Sequence, residues 1–484
     1  LKSVSIQLES FSQLPRYLAL AEALKAAILQ GSYAPGDRLP AIRTLADALG
    51  LNNGTVVHAL RTLVEAGFLR AVRGSGYYVC APQDAHPALE EDAFCAETAP
   101  VEVAAGAINF GSTTPDARIF PIAPFKQALD AVLERDGGYA FGYQDSHGYA
   151  PLRATLREMT VQQMGYDIPH ERVQIVSGAQ QGIDVVSKAQ LLPGDYVLCE
   201  TPTYTGAVAA FTSRGAKVIG VPMQRDGMHL GLLEKYIRAY KPKLLYLMTT
   251  YQNPTTYCYS AGKLQKLMAL LRKYDLLALE DDAMSGLDYE GAPPAGTLKA
   301  LDRQNHHVIY IRSFSKLLMP GLRIGYLIAP ARCSAHLAVA KHTTDISTSG
   351  LIQRALDLYF ARGQWQRHTE TMRAIYHEKY CVMREALRAL APLGVTFHDA
   401  RGGLHFWVRL PEALQAAALE QACAAQGVLL APGTYFYVGA ADAHTLRLSF
   451  AAMDAPQIRR GVDIMGGCIQ ALLRAPRRRA PLII

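Results

Sequence analysis

The sequence predicts a multidomain chain in which a small, mostly helical N-terminal module precedes a large α/β region built on a mostly parallel sheet. Three observations predict it. Residues 1–80 carry short helical patterns closed by glycines. Residues 81–105 lose apolar periodicity and, being rich in Ala, Pro, Glu and Asp, read as a linker. From 106 to 484, short apolar runs alternate with amphipathic helical stretches; Val173–Val176, Tyr196–Cys199, Leu244–Met248, Leu276–Leu279 and Val308–Ile311 read as strands. A length of 484 residues suits two or three cores. Half of the residues are hydrophobic and 19% are charged, which permits packed globules rather than a disordered chain. The net charge of +7 by itself argues only weakly for nucleic acid. Eight scattered cysteines without a CxxC pair argue against a zinc site or a secreted disulfide framework and for a reducing cytoplasm. No run of about 18 apolar residues occurs, so no membrane span is expected. The start lacks a basic stretch followed by an apolar one, so secretion is not expected; it opens on Leu1 rather than Met, which leaves room for residues before it.

In the N-terminal module, Tyr17 to Gln30 places Leu18, Ala21, Leu24 and Ile28 on one helical face, and Gly31 is placed to end it. Pro35-Gly36-Asp37 reads as a turn. A second helix opens at Leu39–Arg43 and buries Leu45, Ala46 and Leu49 before Gly50 breaks it. Asn52 is placed to cap a third helix from about Asn53 to Ala66. Two short helices joined by a tight turn describe a helix-turn-helix, whose second helix turns its N-terminal residues toward base edges. Double-stranded DNA is then the partner, and Arg43, Asn52, Asn53, Thr55 and His58 are the candidate contacts. Phe68–Val79 reads as a hairpin with Arg73, Gly74 and Ser75 at its tip, a wing suited to phosphates. The basic tail from Arg474 to Arg479 reads as a solvated end.

This stretch resembles the GntR-type winged helix over nearly all of residues 14–80. The resemblance rests on Asp37-Arg38-Leu39-Pro40, Leu45-Ala46, Gly50, Thr55-Val56-Val57, Leu63, Gly67 and Arg73-Gly74-Ser75-Gly76. It departs at Ala41, where that family usually has a small hydroxyl residue, and at Asn53, where it usually has Arg. The second departure removes a phosphate or guanine contact.

The sharpest motif of the larger region runs from Ser313 to Gly325. Lys316, delivered from a strand end, can form a Schiff base with an aldehyde cofactor, and Ser313, Ser315 and Arg323 suit a phosphate. Glu280-Asp281-Asp282 puts a carboxylate at another strand end, where it can pair with a pyridinium nitrogen. Val176 to Gly182 leads from a strand into a helix whose small first residues expose N–H groups to a phosphate. Tyr204 offers a ring to stack, Asn253 an amide for a phenolate. Arg447, alone in an apolar strand, wants a carboxylate, either internal or from a ligand.

In this order the six elements resemble the fold-type I aminotransferases over roughly residues 106–475. The resemblance implies a pyridoxal 5′-phosphate (PLP)-dependent α/β fold with a smaller C-terminal α+β subdomain at about 346–475. It implies Lys316 as the Schiff-base lysine, Asp281 as the pyridinium partner, Tyr204 as the stacking ring and Asn253 as the phenolate partner. Phosphate contacts would come from Ala179, Gln180, Ser313, Ser315 and Arg323, and Arg447 would clamp a ligand α-carboxylate. Tyr143, five residues before Gly148, would reach the phosphate of a neighbouring subunit and make the chain a homodimer. Ala283 and Met284 stand where relatives place a tyrosine, and Thr256 stands where they have Gly; these departures bear on transamination rather than on cofactor binding.

Reader, linker and aminotransferase-like region in this order are similar to the MocR/GabR family of bacterial regulators. That resemblance implies a regulator that senses an amine or amino-acid effector by imine exchange at Lys316, on an operator with repeated half-sites and without physiological turnover. An effector that favours one domain state would shift DNA contacts. Two further classes stay open: a functional aminotransferase with an appended helical module, and a regulator of PLP itself, which would not need Arg447.

Overall fold

The computed structural model describes residues 15–29, 32–33, 36–65, 68–72, 76–79, 107–290 and 294–474. The wing tip with Arg73, Gly74 and Ser75, the linker 81–105 and the tail beyond Arg474 lie outside the described residues. The chain divides into two compact units, Leu1–Glu91 with Lys235–Lys241, and Asp92–Glu234 with Pro242–Ile484.

In the first unit, helices α1 (Arg16–Leu29), α2 (Ile42–Leu49) and α3 (Asn53–Glu65) bury Leu20, Leu24, Leu45, Val56, Leu60 and Leu63 together. Gly50 ends α2 in the left-handed conformation at φ +61°, with its N–H returned to Ala46 O. The Asn52 side-chain oxygen accepts from Thr55 N at 2.7 Å, the cap expected from sequence. Strands β1 (Leu69–Val72) and β2 (Gly76–Val79) pair antiparallel, as the hairpin reading requires.

The second unit opens with β3 (Ile108–Asn109), α4 (Ile122–Asp136) and α5 (Ala150–Met164). It continues through β4 (Val173–Val176), α6 (Ala179–Gln190), β5 (Tyr196–Thr201), α7 (Thr205–Ser213), β6 (Lys217–Gln224), β7 (Gly227–Met228) and the start of α8 (Leu230–Tyr240), whose residues from Lys235 on group with the first unit. Next come β8 (Leu244–Leu247), α9 (Ala261–Tyr274), β9 (Leu277–Asp282), β10 (Val308–Ser313) and β11 (Gly325–Ile328). Strands β4 to β11 form one eight-stranded sheet in the order β4-β11-β10-β9-β8-β5-β6-β7. The pairs from β10 to β6 are parallel, while β11 runs antiparallel to both β10 and β4, and β7 closes the edge antiparallel. The central strands are buried on both faces, which is why they read as continuous apolar runs rather than alternating ones. Parallel strands that end together bring their following loops to one edge. Here β5, β8, β9 and β10 deliver Tyr204, Asn253, Asp281 and Lys316.

The remaining chain adds α10 (Ala331–Asp345), α11 (Gly350–Ala361) and α12 (Gln364–Arg388). A second sheet follows from β12 (Thr396–Phe397), β13 (His405–Arg409), β15 (Ala431–Pro432) and β16 (Thr445–Ser449), ordered β12-β13-β16-β15 and antiparallel throughout. Between its strands lie α13 (Ala416–Ala424) and β14 (Val428–Leu429), which pairs with β3; α14 (Ala455–Arg474) closes the unit against α12. Among the described residues no helix is long and apolar enough to cross a membrane.

Candidate functional site

At the shared edge of β5, β8, β9 and β10 lies a cavity of about 530 Å³. It gathers Lys316, Asp281, Tyr204, Asn253, Ala179, Gln180, Ser313, Ser315 and Arg323 from five separate stretches of sequence. Lys316 Nζ donates to Thr113 Oγ1 at 2.6 Å and to Thr113 O at 3.3 Å.

The two carboxylates at the end of β9 divide by strand alternation. Asp282 Oδ2 accepts from Tyr310 OH at 2.5 Å and Oδ1 from Ser285 N at 3.0 Å, so it is spent on the fold. Asp281 lines the cavity. Its Oδ2 accepts from Tyr246 OH at 2.9 Å, while Oδ1 is buried with no hydrogen-bond partner among the described residues. Burial pushes the Asp281 carboxyl up to about 7, against the pull of the Tyr246 hydroxyl; the Asp282 charge adds to the rise and Lys316 opposes it. A cation placed against Oδ1 would remove that cost and keep the carboxylate ionised.

The opposite end of the cavity is built for an anion. Helix α6 starts at Ala179, and its first-turn N–H groups have no intrahelical acceptor. Gly178 stands before it at φ +85°, and a Cβ there would lie 2.9 Å from Arg323 Nη2. Arg323 itself donates to Ser177 O at 2.9 Å, and Ser313 Oγ donates to Ser315 Oγ at 2.9 Å. The Gln180 side chain is committed elsewhere: it accepts from Tyr204 OH at 2.9 Å and donates to Gly206 O at 2.9 Å, so it fixes the Tyr204 ring. What Gln180 offers a phosphate is therefore its backbone N–H.

Arg447 is fully buried and does not line this cavity; it stands behind Asn253, donating to Asn253 Oδ1 at 2.9 Å and to Gly111 O at 2.6 Å. With its oxygen taken, the Asn253 amide turns its NH₂ to act as donor. Tyr143 is 86% exposed and lies outside its own chain's cavity, near the exposed Tyr139 and Phe141. Ala283 and Met284 do line the cavity, so the wall carries a methyl and a thioether where relatives have a phenol. Thr256, at the family's glycine position, takes φ +59°, a strained conformation for a β-branched residue. Sequence reasoning missed Thr113, Thr114, Met248 and Tyr246. The small-residue run Gly111-Ser112-Thr113-Thr114-Pro115 after a short apolar pair was the available signal for the first two.

In the first unit, Arg43 is exposed at the start of α2, with no ion pair among the described residues. Asn53 is exposed and Thr55 half-buried at the start of α3, beside the capping Asn52. His58 stacks on Tyr17 with ring centroids 4.0 Å apart and 7° between planes, which ties one ring face to packing. Arg38, part of the Asp37–Pro40 motif but not among the expected DNA contacts, lies against the hairpin: a Cβ on Gly76 would sit 3.3 Å from its Nε.

Comparison with known proteins agrees with both units. The family described as aminotransferase class I and II matches residues 107–465, and bacterial regulatory proteins of the gntR family match residues 16–79. The α-aminoadipate aminotransferase LysN of Thermus thermophilus, solved with N-(5′-phosphopyridoxyl)-L-leucine, is 32% identical with a TM-score of 0.71, over 76% of this chain and 93% of that one. The uncharacterized HTH-type transcriptional regulator YdcR of Escherichia coli K12 is 30% identical over 471 residues, 95% of this chain and 100% of its own. The probable rhizopine catabolism regulatory protein MocR of Rhizobium meliloti is 27% identical over 479 residues, 96% of each chain. The chain belongs to the class I and II aminotransferase family, carried behind a GntR-type reader. That joint architecture is the MocR type, and the protein is a PLP-dependent transcription regulator. The cavity fits the cofactor on two observations: the orphaned buried Asp281 Oδ1, which wants a cation such as a protonated ring nitrogen, and the Cβ-free cradle at Gly178 beside Arg323 and the α6 N-terminus.

Proposed function

We propose that this regulator senses a primary amine or amino acid at Lys316 and passes the event to its DNA reader through the segment next to the linker. The reading divides the chain into a reader at 1–80, a linker at 81–105 and an effector domain at 106–484, with a smaller subdomain at about 346–475. It works in the cytoplasm as a homodimer, Tyr143 of each subunit reaching the phosphate held by the other. Asp281 pairs with the ring nitrogen, Tyr204 stacks and Asn253 donates to the phenolate. Ala179, Gln180, Ser313, Ser315 and Arg323 hold the phosphate, and Arg447 takes the effector carboxylate.

The observation that carries this reading is the set of contacts made by Gly111 and Thr113, a few residues after the linker. Bound PLP supplies an aldehyde carbon that one primary amine can take over from another. An amine that displaces Lys316 leaves Nζ to be received by Thr113 Oγ1 and O, the contacts at 2.6 and 3.3 Å. Arg447 is covered in this structure, so an effector carboxylate reaches it only by displacing the contacts over it, Gly111 O on Nη2 among them. Both events therefore act on the same short segment, and a ligand that prefers one of its arrangements shifts the population. The absence of a phenol at Ala283 and Met284 supports sensing over turnover.

The test is a titration of the cofactor-loaded protein with a panel of amines and amino acids, following cofactor absorbance and the mobility of its own upstream DNA in parallel. One ligand class is expected to change both readouts, with Thr113→Val weakening the DNA response more than the absorbance response. Rapid turnover with a keto acid and no change in DNA binding across the panel would favour the enzyme class instead.

A further inference from the structure

Outside the cofactor cavity, a second cleft of about 340 Å³ opens between the β5–β6 edge of the large sheet and the face of the small sheet made by β12, β13 and β16. Its size falls at the small-ligand end of the usual range for binding pockets. Four aromatic side chains wall it: Tyr257 from the large-sheet side, and Phe397, Trp407 and Tyr437 from the small-sheet side. These walls are held in place. Trp407 is 7% exposed and packs edge-on against Phe436 with centroids 6.3 Å apart, and the His398 ring stands edge-on to Tyr257 at 4.9 Å and 85°.

The charge inside the cleft is unbalanced. Arg409 is answered by Asp442. Arg225, exposed at the rim, has no ion pair among the described residues. Burial, followed by the nearness of Arg225, lowers the His398 pKa, so this ring adds no second cation. One guanidinium fork thus faces an aromatic slot whose remaining charges cancel. A fork binds a carboxylate in bidentate fashion, and flat walls favour a planar ring behind it. An amine is disfavoured by the same guanidinium, so the cleft selects against the ligand class that the cofactor cavity takes.

We infer that this cleft is a second ligand site, selective for a planar aromatic carboxylate. Its walls come from both sheets, so a ligand there bridges them. Thr201, Thr255 and Tyr257 in its lining lie within a few residues of Tyr204 and Asn253, so the bridge adjoins the cofactor site without using its groups.

The test uses full-length, cofactor-loaded protein titrated with benzoate and with its neutral analogue benzamide, followed by calorimetry and by tryptophan emission. Benzoate should bind saturably, and benzamide should bind about tenfold or more weakly, because the charge-assisted contact is lost. Arg225→Ala should lower benzoate affinity by a similar factor while leaving cofactor absorbance intact. Trp407→Phe should remove the emission change and keep the heat, and benzoate binding should leave the cofactor absorbance of the wild type unchanged. The inference is overturned if benzoate gives no saturable heat, if benzamide binds equally well, or if benzoate shifts the cofactor absorbance and Arg225→Ala spares its binding. The last result would place benzoate at the cofactor site.

Discussion

Adjacent carboxylates on one strand face opposite sides, and that single fact assigns Asp281 and Asp282 different tasks. Asp281→Asn should weaken cofactor binding about tenfold or more, since a charge-assisted contact to the ring nitrogen becomes a neutral one. Asp282→Asn should keep cofactor affinity and lower stability by about 1–3 kcal/mol, because the amide has one acceptor oxygen where the carboxylate has two, so either the Tyr310 hydroxyl or Ser285 N–H is left facing an NH₂. Fluorescence titration with PLP and urea unfolding of the apoprotein separate the two effects; the reverse pattern would mean that the wrong carboxylate has been assigned. A pH signature follows as well. The folded pKa of Asp281, about 7, lies above the ordinary value of 3.8, so the folded state keeps a proton that the unfolded state gives up. Stability from this group therefore falls as pH rises from about 4 to about 7. Between pH 5 and pH 8 the urea midpoint of the apoprotein should drop further in wild type than in Asp281→Asn. Sequence could place Asp281 at a strand end. It could not supply Tyr246, because that partnership depends on the register between β8 and β9, which apolar periodicity does not encode.

Elements were legible where one physical rule decided them. Val173–Val176 is a strand with the expected bounds, and α3 ends within a residue of its expected end, since a cap and an apolar face define it. The run Leu276–Leu279 fell short because β9 continues through Glu280, Asp281 and Asp282, whose polarity hides them from a hydrophobic pattern. They are tolerated in the interior because Thr249, Tyr246 and Tyr310 donate to them. The antiparallel insertion of β11 between β4 and β10 was equally invisible, since strand order leaves no mark on composition. Two predictions belong at this scale. Asn52→Ala removes the α3 cap and should cost about 1 kcal/mol in the isolated first 80 residues, measured by urea unfolding. An unchanged midpoint would show that the cap contributes nothing. Gly178→Ala adds a Cβ at φ +85° and 2.9 Å from Arg323, so it should strain the α6 entry and displace the guanidinium. PLP affinity should fall while affinity for unphosphorylated pyridoxal changes little; an equal loss for both aldehydes would locate the defect away from the phosphate end.

At the scale of the molecule, the reader's charge limits what one copy can do. Residues 1–80 carry eight basic and five acidic side chains, a net of +3. Non-specific affinity rises with the number of phosphates neutralised, so a single reader is expected to bind weakly and with a shallow salt dependence. In the homodimer proposed above, two readers, each on a linker of about 25 residues, would gain from effective concentration when two half-sites lie within reach. Full-length protein should therefore bind a repeated site far more tightly than the fragment 1–80, and deleting one half-site should remove most of that advantage. Within each reader, Arg43 is exposed at the start of α2, whereas Asn53 is exposed at the start of the helix expected to face base edges. Arg43→Ala should weaken binding to all sequences alike and reduce the salt slope by about one. Asn53→Ala should leave the salt slope alone and relax preference at one base pair, worth about 1–3 kcal/mol of discrimination. Binding isotherms at several salt concentrations, on the intact site and on single-base variants, distinguish these effects. If Asn53→Ala changes the slope and Arg43→Ala changes the sequence preference, the two helices have exchanged the roles assigned to them here.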